Sequence, residues 1–237
     1  MQYAVQVENV RFAYKPPQDI LRIRDFRVLS GEKLFIFGPS GSGKTTLLGL
    51  LAGVLKADEG EVRVLQRDLG ALSSHQRDAF RGGHIGYIFQ MFNLIPYLNV
   101  RENITLPCRM SRQRAARMQG SSLDEAARGI ARALGIEPLL EEPVTELSVG
   151  QQQRVAAARS LVGRPEIVIA DEPTSSLDAD HRERFLQLLF GCCQEAGSTL
   201  IFVSHDGSLR PLFDRAVSLP EINQVTLPSS TPQEEAN

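Results

Sequence analysis

Cysteine, net charge and long apolar runs are all scarce in this sequence, and each shortage removes a class of protein. The three cysteines are Cys108 and the adjacent pair Cys192 and Cys193. An odd count without framework spacing argues against a disulfide scaffold. Neighbours on a helix also point about 100° apart, a poor start for a bridge. All three read as small buried hydrophobes in a reducing compartment. The formal net charge is only −2, so there is no electrostatic footprint for nucleic acid, and no such partner is expected. No apolar run approaches the ~20 residues of a membrane span. The opening MQYAVQVENV has no basic segment followed by an apolar one, so a secretory leader is not expected.

What is present is ample apolar material for a buried core: 42 % hydrophobic residues in 237, enough for one large domain or two small ones. Its periodicity changes along the chain. AVQVENVRFAY alternates apolar and polar as a half-buried strand does. KLFIFG is an apolar run ending in glycine, the pattern of a strand covered on both faces. A helix is expected from Gly43 to Leu51, then short strands at GEVRVL and HIGYIFQ. From Met91 to about Gly163 the character turns helical, through RENITLPCRM, SSLDEAARGIARALGI and GQQQRVAAARSLVG. Ser122 and Glu125 resemble a capping box there. Strands then return at IVIA, STLIFVS and DRAVSL, with a helix over DADHRERFLQLLFGCCQEAG.

Strand–helix alternation predicts an α/β chain with a mainly parallel sheet. The core covers about 1–90 and 164–219 and a helical insert covers 91–163. The tail 220–237, ending PSSTPQEEAN, has the composition of disorder. The run Arg109, Arg112, Arg114 and Arg117 reads as a solvated helix face, with lipid head groups as the other option.

The chemistry is concentrated in GPSGSGKTTLL, residues 38–48. Gly38, Gly43, Lys44 and Thr45 fit G-x-x-x-x-G-K-[ST], between an expected strand and an expected helix. A triphosphate needs many donors in a small space. Glycine lets the amides of Gly41, Ser42, Gly43 and Lys44 turn inward with no Cβ in the way. The helix start adds its partial positive charge. Lys44 reaches the β- and γ-phosphates, Thr45 offers a hydroxyl to Mg²⁺, and Thr46 donates to the α-phosphate, with Ser40 in the same loop. IVIADEPTSSLD adds two carboxylates. Asp171 ends a buried strand, placed to hold Mg²⁺ through water. Glu172 follows it, where it can face the γ-phosphate and orient an attacking water. A kinase needs no such water, so the pair favours hydrolysis.

Together with LSVGQQQR, residues 147–154, these motifs resemble the ATP-binding cassette (ABC) ATPase family over about residues 5–219. The resemblance implies a P-loop NTPase (RecA-like) core with an N-terminal antiparallel β-subdomain and an inserted helical subdomain. It implies that Tyr14 stacks on adenine and that Gln90 links Mg²⁺ to the transport partner. Ser148, Gly150 and Gln151 become the signature, Ser176 to Asp178 the D-loop, and His205 the switch histidine. It also implies a head-to-tail dimer, in which the signature of one chain caps the γ-phosphate held by the other. Val149 departs from the commoner glycine. A β-branched side chain does not take φ > 0 comfortably, so that site is either ordinary extended backbone or an altered contact. A glycine turn common after DR-x-x-x-L is also missing, so a turn around Pro220 and Asn223 is expected.

FQMFNLIPYLNVRENITLP is similar to the cassettes that power lipoprotein release and macrolide efflux, at Phe89, Gln90, Leu94, Ile95, Pro96, Asn103 and Pro107. That implies a separate membrane permease docking beside Gln90 and the helical insert, on the cytoplasmic face of the inner membrane. The alternative is that Phe92, Leu94, Ile95 and Tyr97 are simply core. An importer ATPase and a cell-division signalling ATPase stay open as other readings.

Overall fold

The computed structural model describes residues 2–118, 120–175 and 177–225. The chain opens with β1 (Tyr3–Phe12) and β2 (Leu21–Leu29), an antiparallel pair. Next come β3 (Lys33–Phe37), α1 (Lys44–Leu51), β4 (Glu59–Val64), β5 (Arg67–Asp68), α2 (Ser74–His84) and β6 (Ile85–Ile88). The helical stretch holds α3 (Val100–Met110), α4 (Arg112–Ala116), α5 (Leu123–Ala133) and α6 (Val149–Leu161). Then follow β7 (Ile167–Asp171), α7 (Ala179–Ala196), β8 (Thr199–Val203), β9 (Arg215–Ser218) and the one-turn α8 (Leu219–Ile222).

The strands form two sheets. An antiparallel sheet runs β2-β1-β4-β5, and a parallel one runs β6-β7-β8-β3-β9. The parallel strands β7 and β8 are buried at every residue, as their unbroken apolar runs require. Successive side chains point to opposite faces. Leu34 and Ile36 therefore pack with α1 and the antiparallel sheet, while Phe35 packs with the helical stretch and α7. Cys108, Cys192 and Cys193 are free and buried, as expected.

Several local expectations need correction. Periodicity does not announce α2; its signal is the reciprocal capping box of Ser73 and Gln76. That helix takes His84, and β6 stops at Ile88, so Phe89 and Gln90 lie beyond the strand. The arginine run is a solvated face only at Arg109 and Arg112, which are exposed. Arg114 is buried, and its guanidinium donates to the carbonyls of Ile85, Ser160 and Val162. Arg117 binds Gly83 O and the Glu166 carboxylate. These carbonyls sit where α6 ends and β6 begins, and only a planar fork reaches all of them. At the C-terminal end, Pro220 enters a helical turn and Asn223 bonds to β2. Of the tail, residues 226–237 lie outside the described residues.

Candidate functional site

Parallel strands deliver their carboxyl ends to one edge of the sheet, where α/β folds bind ligands. Here β3 ends in the glycine loop, β6 leads to Gln90, β7 ends at Asp171 and Glu172, and β8 leads to His205. The order β6-β7-β8-β3 sets these ends side by side. They line an open cleft of about 500 Å³ with Tyr14, Ser40, Gly41, Gly43, Lys44, Thr45 and Thr46. Ile20 also lines it; sequence reasoning missed Ile20, and no motif marks it.

The loop needs its glycines at particular points. Gly41 and Gly43 have φ of +76° and +98°, where L side chains are strained. A Cβ on Gly43 would stand 2.8 Å from the Leu21 side chain. Lys44 lies across the loop, its Nζ donating to Gly38 O at 2.9 Å and Pro39 O at 3.0 Å. Both bonds are to the loop's own backbone, so the ammonium can exchange them for phosphate oxygens. Tyr14 is 61 % exposed at the cleft rim, edge-on to Phe12. Its hydroxyl and that of Thr46 lie 3.3 Å apart, within hydrogen-bond range. Gly38 and Ser42 belong to the same loop but do not line the cleft, and Ser42 is buried.

The carboxylates differ in environment. Burial raises the Asp171 carboxyl above its ordinary range; Glu172 adds to the rise, while Thr45 and Lys44 oppose it. Thr45, Gln90 and Asp171 present a hydroxyl, an amide and a carboxylate, a hard oxygen set that fits Mg²⁺. Glu172 has φ +47°, in the left-handed region that non-glycine residues avoid. Its amide donates to Val203 O at 3.0 Å, and its Oε2 lies 2.9 Å from His205 Nδ1. Nδ1–H donates to the carboxylate, leaving Nε2 as the second ring nitrogen. The His205 side chain is exposed and that of Glu172 is not.

The structure does not bring Ser148, Gly150, Gln151 or Asp178 to this cleft. Ser148 caps α6: its Oγ accepts from Gln151 N–H, and Gln151 Oε1 accepts from Ser148 N–H. Val149 is the first residue of that helix and half exposed. Its backbone is helical, so neither left-handed nor extended geometry is demanded of it. The Val149 and Gly150 amides are among the orphan donors that every helix start presents. Asp178 caps α7, accepting from His181 N–H at 2.9 Å, and that bond holds its carboxyl below the usual range. Ser176 of the expected D-loop lies outside the described residues.

The family model for ABC transporters matches residues 21–175. The chain belongs to the ABC transporter family. This cassette is 39 % identical over 192 residues to the uncharacterized ABC transporter ATP-binding protein YbbA of Escherichia coli (strain K12), covering 81 % of the chain and 82 % of the relative. It is 34 % identical over 218 residues to the lipoprotein-releasing system ATP-binding protein LolD of Porphyromonas gingivalis, covering 91 % and 95 %. Among solved structures, the ATP-binding cassette MJ0796, a dimer in a post-hydrolysis state with ADP and Pi, superposes with a TM-score of 0.80. It is 33 % identical and covers 90 % of this chain and 93 % of its own. The cassette cbiO1 of Clostridium perfringens, part of the transporter complex cbiONQ, also gives 0.80, at 27 % identity over 92 % and 85 %. The fold is therefore that of an ABC ATPase cassette, with the antiparallel sheet beside a parallel P-loop core.

Among the described residues no helix of this cassette is long and apolar enough to cross a membrane. The chain neighbours of Gln90 are exposed and apolar, Phe89 and Met91, the latter at 81 %, and further along the same stretch Tyr97 is 83 % exposed. Phe92 is buried in the core, with Leu94 packed against it. The two readings of this stretch therefore divide by residue.

Proposed function

We propose that this chain is the ATP-hydrolysing motor of a membrane transport or mechanotransmission complex, of the lipoprotein-release and macrolide-efflux type. Two copies would meet head to tail around two ATP molecules. One observation carries the reading: each group needed to hold and attack a triphosphate lines one cleft, while the signature helix start lies outside that cleft. A second copy would supply the missing wall, and the relative MJ0796, bound to ADP and Pi, is dimeric.

In this reading Tyr14 stacks on the base. The loop amides and Lys44 hold the phosphates, and Thr46 donates to the innermost one. Thr45, Gln90 and Asp171 would hold Mg²⁺, which when bound neutralises phosphate charge. Glu172 orients water for in-line attack, and His205, fixed through Nδ1, presents Nε2 to the terminal phosphate. The Val149 and Gly150 amides and the Ser148 hydroxyl cap that phosphate from the partner copy, with Gln151 holding Ser148 in place. Asp178 starts the helix beside that interface. Residues 1–90 and 164–219 form the ATP-binding core, and 91–163 form the arm that carries the signature. The permease is a separate chain. It docks on Phe89, Met91 and Tyr97 beside Gln90, at the cytoplasmic face of the inner membrane.

The test uses mixed dimers. Lys44→Ala and Ser148→Arg each abolish turnover alone. Mixed, their heterodimer has one site with both halves intact and recovers up to half of the activity per dimer. An inactive mixture, with heterodimers demonstrated by orthogonal tags, would falsify the shared site.

A further inference from the structure

The Pro220–Asn223 turn stands where related chains were expected to carry a glycine turn, and it reaches the nucleotide cleft from behind. Asn223 is buried, at 7 % exposure. Its Oδ1 accepts from Arg22 N–H at 2.9 Å and Val225 N–H at 3.3 Å. Its Nδ2 donates to Ile20 O at 3.0 Å and Ser42 O at 3.4 Å. Both lone pairs and both hydrogens of the amide are therefore engaged. Ser42 belongs to the phosphate loop, and Ile20 lines the cleft. The Ile20 carbonyl also stands 3.4 Å from where a Gly43 Cβ would lie. On the same turn, Pro220 comes within 3.0 Å of an ideal Cβ on Gly38, the first glycine of the loop. One short helix thus touches the loop at its start and middle, and the cleft wall beside it.

We infer that Asn223 is a positioning residue for nucleotide binding: its Nδ2 braces the phosphate loop against the wall formed by Ile20, so that the loop amides converge before ATP arrives. Preorganised donors raise affinity because less ordering remains to be done on binding. The inference rests on the reading that this cleft holds ATP. The effect falls on binding rather than on the chemical step, because Asn223 touches neither Glu172 nor His205.

The experiment separates the two halves of the amide. Asn223→Asp keeps the acceptor that binds Arg22 and Val225 and removes the donor to Ile20 and Ser42. Asn223→Ala removes both. Affinity for the non-hydrolysable analogue adenylyl imidodiphosphate is titrated by calorimetry, with kcat, KM and Tm measured alongside. Both variants are expected to raise Kd and KM about tenfold, the equivalent of ~1.4 kcal/mol, with kcat at saturating ATP unchanged. Salt screens little at a buried site, so the uncharged Asn223→Ala is the check: an equal effect in both variants assigns it to the lost donor rather than to the added charge. Wild-type affinity in Asn223→Asp overturns the inference, even if Asn223→Ala melts earlier, because the amide then only fastens the chain to β2. A fall in kcat at unchanged KM overturns it as well. Should Asn223→Ala not fold, the aspartate variant decides alone. Lys44→Ala serves as control: if it binds the analogue normally, the cleft assignment fails, whatever Asn223 does.

Discussion

Replacing Arg114 with methionine tests how the helical stretch is fastened to the parallel sheet. Arg114 lies on α4, almost without exposed surface. Its Nε donates to Val162 O at 2.7 Å and its Nη1 to Ile85 O at 3.1 Å, with Nη2 on Ser160 O. Burial pushes the guanidinium down from 12.5 to about 10, so it is charged at neutral pH and held there at a penalty. That fall corresponds to ~3 kcal/mol, which methionine relieves while keeping most of the stem volume. Against this, methionine orphans three buried carbonyls at ~1–3 kcal/mol each, about 6 kcal/mol in total. The net loss is about 3 kcal/mol. In urea, with a slope of about 3 kcal/mol per molar for a chain of this size, the midpoint drops by about 1 M. Far-UV circular dichroism follows the transition. Arg117→Met is the control: its partner Glu166 keeps His84, and a partly exposed pair is worth under ~1 kcal/mol. An Arg114→Met midpoint within about 0.2 M of the parent would show that these carbonyls reach water, and the account of the joint would be wrong.

Two further outcomes follow from the cleft. Glu172→Gln keeps ATP binding but stalls turnover, so an ATP-bound dimer accumulates; size-exclusion chromatography with ATP reads this directly, and undiminished phosphate release would remove Glu172 from the chemistry. Asp171→Asn raises the Tm of the nucleotide-free protein at pH 7, because burial lifts the Asp171 carboxyl above its unfolded value. An acid raised in this way destabilises the fold above both values, and the penalty fades as pH falls through the folded value and then the unfolded one. The Tm difference between variant and parent should therefore shrink towards pH 4, and a difference that grows on acidification refutes the assignment.

The phosphate loop and the two carboxylates are legible in the sequence because their chemistry is local. Glycine is needed where φ is positive, lysine and threonine suit a site for phosphate and metal, and an apolar run before Asp171 marks a buried strand. The capping boxes at Ser122 and Ser148 are local as well. Four arginines spaced along a helical stretch carry no such information. Arg114 and Arg117 point inward only because α6 ends and β6 begins against them, and sequence spacing does not contain that meeting. The split of the FQMFNLIPYL stretch into buried Phe92 and exposed Met91 and Tyr97 is set the same way, by what packs behind it.

The residues by themselves determine the parts list: a glycine-lysine loop, adjacent carboxylates, a histidine after a buried strand, and a second polar helix start. Short-range geometry and residue chemistry suffice for that. Only the tertiary structure decides that strand order β6-β7-β8-β3 sets the first three of those parts on one edge, together with Gln90, and leaves the second polar helix start outside it. It also decides that Asn223, in the last described turn, donates to the carbonyls of Ile20 and Ser42. Such meetings join residues far apart in the chain, and they arise from packing two faces of one sheet, which no local pattern encodes.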